Sequence, residues 1–367
     1  MIEYVEVRNA QFEVIGILDT AQSVIWHSVF FGVGDFQIYV KLQDAVLMLA
    51  DAQYITRTDN DEVGVIESIQ IADDVESGKM ITLAGRFAKS LLDRRIIYTL
   101  SGTSNKATIL RGNVEAAVRS LVNSHAIASR SLGIFALGAV AGISKTIVDE
   151  NGNAAEKQVS FENLLTYTEE VLKEYSIASR VVLNGKKLSY SIYEGANRST
   201  DNTDGNQPIV FSKEYDNLLS SEYMLDTTQE KNAALIGGEG EGIDRFCVLI
   251  GSQSGLARKE VFVDASSLGK KYKDENDVEK TYNNAEYTAM LKAHGQQVTS
   301  AMKVTEDFNG TIDITNGNWK FGVDVFLGDI VTIQDSELGI YKNVRIAEVT
   351  EYQEQDGYSV EAVYQGV

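Results

Sequence analysis

Apolar and polar residues alternate in short runs along most of the chain, and in a few places the spacing lengthens to that of a helix. Ile2 to Val7 and Phe12 to Leu18 read as strands, with Asn9-Ala10-Gln11 as the turn between them. Val24-Ile25-Trp26 opens the next apolar run, and Gly32-Val33-Gly34-Asp35 breaks it. Phe36, Ile38, Val40 and Leu42 then fall on one face of a strand. Tyr54 to Arg57 adds another. Val63 to Ile71 is rich in β-branched residues, but Ile66 interrupts its alternation, which predicts a bulge or burial on both faces. Asp73, Asp74 and Glu76 lead to the turn signal Ser77-Gly78, and a second strand runs from Lys79 to Arg86. At Phe87 the period becomes helical. Phe87, Leu91, Leu92 and Ile96 are placed to face a core, while Lys89, Asp93, Arg94 and Arg95 face out.

The middle of the chain differs. Val114, Ala117, Val118, Leu121 and Val122 predict an amphipathic helix over 113–125. Phe161, Leu164, Leu165, Val171 and Leu172 predict a second, with Ser160 as its N-cap. Between them Leu132 to Ile143, LGIFALGAVAGI, is too short to span a membrane. It reads as a buried strand or packed loop; the other reading is a segment that touches membrane or receptor. Lys145 to Lys157 reads as a hairpin tip around Asn151-Gly152, and Asn184-Gly185 joins strands 180–183 and 188–193. Residues 196–207 are polar and turn-rich, which marks a boundary. Strands are then expected at 209–211, 221–225, 233–236, 245–250 and 258–263. Residues 270–300 read as helical, and strands return at 304–308, 329–334, 344–349 and 358–364.

The expected fold is mainly β with an α+β insertion. Residues 1–97 are expected to form a first β domain, with enough short strands for a barrel or a sandwich, and 98–200 the insertion. Residues 201–265 and 302–367 are expected to form a second β domain of similar size, interrupted by a helical segment at 266–301.

Composition narrows the function classes. The 33 basic and 53 acidic residues leave a net charge of −20. Such a surface repels DNA and anionic membranes, so sequence-specific nucleic-acid binding and stable membrane insertion are not expected. The single cysteine, Cys247, excludes an intrachain disulfide and lies in an apolar strand, which predicts a buried, inert thiol. The N-terminal MIEYVEVRN has no signal-peptide pattern, so synthesis in a bacterial cytoplasm is expected.

Candidate chemistry is sparse. Gly237-Gly238-Glu239-Gly240-Glu241-Gly242 lacks nucleotide-fingerprint spacing, and its carboxylates would repel phosphate; it reads as a wide hairpin loop. His27, His125 and His294 show no ligand spacing. No Gly-x-Ser-x-Gly elbow is present. Paired acids such as Asp73/Asp74, Glu169/Glu170 and Asp274/Glu275 carry no information in so acidic a chain. No catalytic residue, cofactor or metal is assigned. The basic residues that stand out are Arg86, Arg94, Arg95, Arg245 and Arg258. A guanidinium grips a carboxylate bidentately, which suits inter-domain or inter-subunit pairing.

Several stretches resemble one family. Gly85-Arg86 followed by Ser90-Leu91-Leu92-Asp93-Arg94-Arg95-Ile96 looks like the signature of tail-hub proteins from siphophages, prophages and phage-tail-like particles of Gram-positive bacteria. Asp19, Ser23, Ile25-Trp26 and Gly34-Asp35-Phe36 fit, as do Phe211-Ser212, Tyr215-Asp216-Asn217-Leu218, Gly237 to Glu241, Val263-Asp264 and Gly328-Asp329-Ile330-Val331. The resemblance implies a structural homotrimer in the virion tail. Its two barrels per chain would form a ring matching the sixfold tail tube. One face would meet the distal tail or tube protein, and the other a spike, fibre or tape-measure protein. The functions set against this are a tail-tip peptidoglycan hydrolase and a receptor-binding module.

Overall fold

The computed structural model of the chain describes residues 2–42, 50–74, 78–101, 103–149, 152–273, 279–315, 318–337 and 339–367. The fold is mainly β, as expected. Two compact units are present: Met1–Ser221 with Asn309–Val367, and Glu222–Phe308.

In the first unit, strands from both ends of the chain share one sheet. Its order runs Gly357–Gly366, Ile340–Glu354, Ser23–Val29, Asp35–Lys41, Gly78–Arg86, Ser68–Asp74. Ser23–Val29 pairs antiparallel with Ile340–Glu354, placing Trp26 opposite Glu351 and Val29 opposite Glu348. Beyond Gly357–Gly366 come Thr305–Asp313 and Leu218–Asp226, the strands that carry the chain out of this unit and back. Alternation decides which side of the sheet is buried. Phe36, Ile38 and Val40 face inward, whereas Asp35, Gln37 and Lys41 are exposed. A smaller sheet of Val14–Leu18, Val5–Arg8, Tyr54–Thr56 and Val63–Val65 contributes Val5, Val7, Leu18 and Ile55 to the same core. Trp26 fills its centre, with the Phe87 ring centroid 4.8 Å and the Phe36 centroid 6.0 Å away.

The break at Ile66 is real. The expected single strand is two, Val63–Val65 and Ser68–Asp74, which belong to different sheets. Ser68–Asp74 and Gly78–Arg86 pair antiparallel from Asp74 opposite Gly78. Glu76 and Ser77 of the expected turn lie outside the described residues. The helical turn that follows is a 3-10 helix, Ala88–Arg94. Leu91 and Leu92 are buried as expected, but Ile96 is exposed and Lys89 is buried. The tighter winding of a 3-10 helix shifts each successive side chain relative to an α-helix, and this turns Lys89 inward.

The insertion packs two helices on short sheets. Val114–Val122 starts at Asn113, whose side chain accepts from the Ala116 amide, and it runs on into a π turn, Asn123–Ile127. Leu164–Glu174 is capped by Asn163, not Ser160; the Asn163 side chain accepts from the Thr166 amide. Phe161 lies before this cap with a φ of 66°, so it sits outside the helix and is exposed. Asn163→Ala should cost about 1 kcal/mol in a urea melt. The expected hairpin at Asn184-Gly185 forms between Ala178–Asn184 and Lys187–Tyr193, with Gly185 at a φ of 61°. The 145–157 segment also turns back on itself, with an antiparallel bridge between Val148 and Ala154; Asn151 lies outside the described residues.

The glycine-rich segment 132–143 is part of this packing. Phe135–Leu137 pairs parallel with Lys187–Tyr193, and Phe135 is buried. Downstream, the buried Glu115 carboxylate accepts from the amides of Ala141, Gly142 and Ile143 at 2.7, 2.9 and 3.0 Å. Arg119 donates to the carbonyls of Gly138 and Ala139. Side chains from one helix thus hold the backbone of an irregular segment whose residues 139–142 are exposed, with Val140 facing solvent.

In the second unit, Cys247–Ile250, Ala233–Gly237 and Glu260–Asp264 form a three-stranded sheet under the helix Asn284–Ala301. Asn283 and Glu286 make a reciprocal capping box at its start. Tyr287 and Leu291 pack on Ala234, Ile236, Val248 and Val263. The helix begins later than the sequence suggests. Lys271–Lys273 and Glu279–Thr281 pair as strands, and Tyr272 stacks on Tyr282 at 4.3 Å. A stack of one aromatic on the short strand pair with another just beyond it outweighs the helical propensity of the charged residues around them.

Candidate interaction surfaces

Three of the five arginines gather at one corner of the first unit. Arg86 ends its strand with a bidentate grip on Glu67, Nε to Oε2 at 2.9 Å and Nη2 to Oε1 at 2.8 Å. Asp93 lies 3.7 Å from its other nitrogen. The Arg86 fork holds the Glu67 carboxyl below its usual range, with Arg94 adding to the effect. Arg94 closes the 3-10 helix and is exposed. Arg95 folds back, donating to the carbonyls of Arg130, Arg94 and Ser131 at 2.9, 3.0 and 3.3 Å.

The other two frame the sheet of the second unit. Arg245 lies across Gly237, donating to its carbonyl at 2.9 Å and to that of Gly238 at 3.2 Å, and it pairs with Asp264. A Cβ on Gly237 would sit 2.5 Å from Arg245 Nε, so the glycine admits the guanidinium. Backbone and side-chain bonds from Ser266, then the bond from Arg245, hold Asp264 down at about 2. Arg258, at the other end, pairs with Glu260 and donates to the carbonyls of Gly251 and Gln253.

Between these arginines the sheet face away from the helix is apolar. Leu235 is in register with Leu249 on one side and Phe262 on the other, and all three are exposed. Cys247 belongs to this face and is exposed, not buried as expected, because Val248 takes the inward position on that strand. The solvent side of a helix-backed sheet is ordinarily polar, so this row departs from the pattern.

The strongest ionic arrangement is one the sequence reading missed. Arg57 forks onto Glu351 with contacts of 2.8 and 2.9 Å, and onto Asp59 at 2.9 and 2.8 Å. The side chains of Arg57 and Glu351 are only 1% and 5% exposed. Tyr358 donates a third bond to Glu351, at 2.7 Å. The only trace in the sequence is an arginine continuing the apolar run Tyr54-Ile55-Thr56. Asp329, within a family-like stretch, is also buried. It accepts from the Ala196 and Phe326 amides and from Arg198 at 2.9, 3.0 and 2.9 Å. Burial still pushes its carboxyl above the usual range.

The histidines do not converge. His27 stands between Asp35 at 3.2 Å and Glu348 at 3.0 Å. Burial opposes its charge, but the two carboxylates outweigh that and raise its pKa. Burial lowers the pKa of His125. Among the described residues no group of three or more His, Cys, Asp or Glu is placed to hold a metal ion. Among the same residues no helix is long and apolar enough to cross a membrane.

Comparison with known families gives a match to the Siphovirus ReqiPepy6 Gp37-like proteins over residues 4–364. The chain belongs to that family. Two solved structures resemble this Gp37-like chain in fold. The tail protein from Neisseria meningitidis MC58 aligns with a TM-score of 0.55 at 13% identity, covering 99% of this chain and 96% of its own. The 43 kDa tail protein of prophage MuSo2 from Shewanella oneidensis gives 0.54 at 12%, covering 99% and 98%. No curated protein sequence matches. The Gp37-like chain thus belongs to a siphovirus family and shares its fold with solved phage tail proteins.

Proposed function

We propose that this chain is the hub of a phage tail tip: a homotrimer joining the sixfold tail tube to a central spike or fibre around an acidic channel. The observation that carries the reading is a fold shared with two phage tail proteins over 99% of a siphovirus-family chain of net charge −20. A wall of that charge lets DNA or a tape-measure protein pass without sticking, because like charges repel along the whole path. In this reading the β strands of each chain supply two tube-like modules, so three chains meet a sixfold ring. In this reading the chain acts by shape and charge.

Of the five arginines, Arg94 is the one this reading gives to a neighbouring subunit. Arg86, Arg95, Arg245 and Arg258 already have partners within the chain. Light scattering of the purified protein, with negative-stain images, tests the hub. A three-chain mass and a central hole are expected, and a monodisperse monomer overturns it. The Arg94→Ala, Arg95→Ala double variant should lower the trimer fraction severalfold at equal concentration. An unchanged trimer removes these residues from the interface.

A further inference from the structure

One partly buried carboxylate remains without a role. Glu62 immediately precedes the strand Val63–Val65, and its backbone makes an isolated antiparallel bridge to Val182 of the insertion. Its side chain lines a cavity of about 20 Å³, room for one water, together with Val29, Gly34, Lys89, Ser179 and Tyr193. On one side of this seam, Val63, Val65 and Leu92 join Leu164 and Val181 in an apolar core. On the other side, the polar groups are unevenly matched. The Ser28 hydroxyl donates to Glu62 Oε2. Lys89, whose charge reaches Glu62, is already engaged by Glu169 and the Ser179 carbonyl, each at 3.0 Å. Glu169 is satisfied in turn by the Gly32 amide and the Ser179 hydroxyl.

We propose that Glu62 is a proton-operated latch between the sheet and the insertion: neutral, it seats in the cavity and holds the Glu62–Val182 bridge; ionised, it draws in water and loosens that bridge. The groups facing it come from every element around the cavity. They are Trp26 and Ser28 on one strand, Lys89 on the 3-10 helix, Glu351 on the long C-terminal strand, and Tyr193 and Arg180 on the insertion hairpin. Burial drives the carboxyl up to about 7, against the hydrogen bond from Ser28 and the charge of Lys89. Glu351 is occupied by Arg57 and adds repulsion.

The direction follows from proton counting. The closed latch binds a proton that the open one releases between pH 4.5, the ordinary carboxyl value, and about 7. Closure is therefore strongest in mild acid, weakens as pH rises across that window, and levels off above it. Hydrogen exchange on the full chain tests this, with rates corrected for intrinsic pH dependence. Protection of amides at 60–65 and 178–183 should fall at least tenfold from pH 5 to pH 7.5, then stay flat to pH 8.5. Glu62→Gln should hold the acid level throughout, while His27→Gln should keep the fall, separating Glu62 from the sheet histidine whose pKa is raised. Should Glu62→Gln not fold, Ser28→Ala serves: losing the hydroxyl donor should move the midpoint of the fall to higher pH. A pH-independent wild type, a fall that survives Glu62→Gln, or a Ser28→Ala midpoint that stays put or drops overturns the latch.

Discussion

Arg57→Ala is expected to destabilise the protein by about 3–5 kcal/mol in equilibrium denaturation, the cost of stranding a buried charge. The variant leaves Glu351 almost wholly inside the fold with only the Tyr358 hydroxyl as a donor. It also removes the guanidinium stacked 5.2 Å from the Trp26 ring at the centre of the core. Asp59 loses its partner too, but its side chain is 46% exposed and water replaces what is lost. The double variant Arg57→Met, Glu351→Leu should recover most of the stability, since apolar residues of similar volume remove both charges together. If the double variant is as unstable as the single one, the loss comes from packing around Trp26 and not from the stranded carboxylate. In the wild-type chain the pairing also depends on pH, with a clear sign. Burial raises the pKa of Asp59, but the bonds from Arg57 win and lower it. Its contribution is therefore complete at neutral pH and lost in acid.

Gly85→Ala is expected to cost about 3 kcal/mol or more, or to prevent folding, at the upper end of what overpacking does. A Cβ there would lie 1.8 Å from the Val65 carbonyl oxygen and 2.9 Å from the Glu67 amide nitrogen. Neither backbone atom is free to move away. Val65 pairs with Tyr54, and Gly85 pairs with Phe36 on the next strand. The smaller sheet thus passes directly over the larger one at this point, and only a residue without a side chain lets it. Gly78→Ala is the control. Gly78 has a φ of 74° and nothing within 4 Å of an added Cβ. It should lose only the roughly 1–2 kcal/mol of a left-handed backbone position. Thermal melts of the two variants side by side should rank them in that order.

The resemblance of Gly85-Arg86 to a family signature acquires a physical reason in this geometry. The glycine admits the crossing, and the arginine beside it locks Glu67 in the link that follows the crossing strand. Much of the local structure was legible in the same way. The alternation at Phe36, Ile38 and Val40, the Asn184-Gly185 turn and the helical spacing at Val114 to Val122 each appear where the pattern puts them. These features depend on neighbours in sequence. What was not legible depends on distant partners. Nothing near Arg57 announces Glu351, which lies on the opposite side of the main sheet's sequence. Lys89 looks like a solvent-facing residue until Glu169 is brought to it. Cys247 and Val248 have similar claims to burial, and only the position of the helix Asn284–Ala301 decides between them. The boundary at Ser160 failed for a smaller reason: two polar residues could cap the helix, and a positive φ at Phe161 selects the later one.

The pairing of Ser23–Val29 with Ile340–Glu354 bears on how the protein is made. A ribosome extrudes the first strand long before the one that lies beside it, so the early segment must wait with an open edge. Forming that pair closes a loop of some three hundred residues, a slow step compared with local hairpins. A prematurely terminated chain cannot supply the missing neighbour, and its bare edge invites aggregation or proteolysis. A chain cut short before Ile340–Glu354 is therefore expected to be lost, not to accumulate in a folded form.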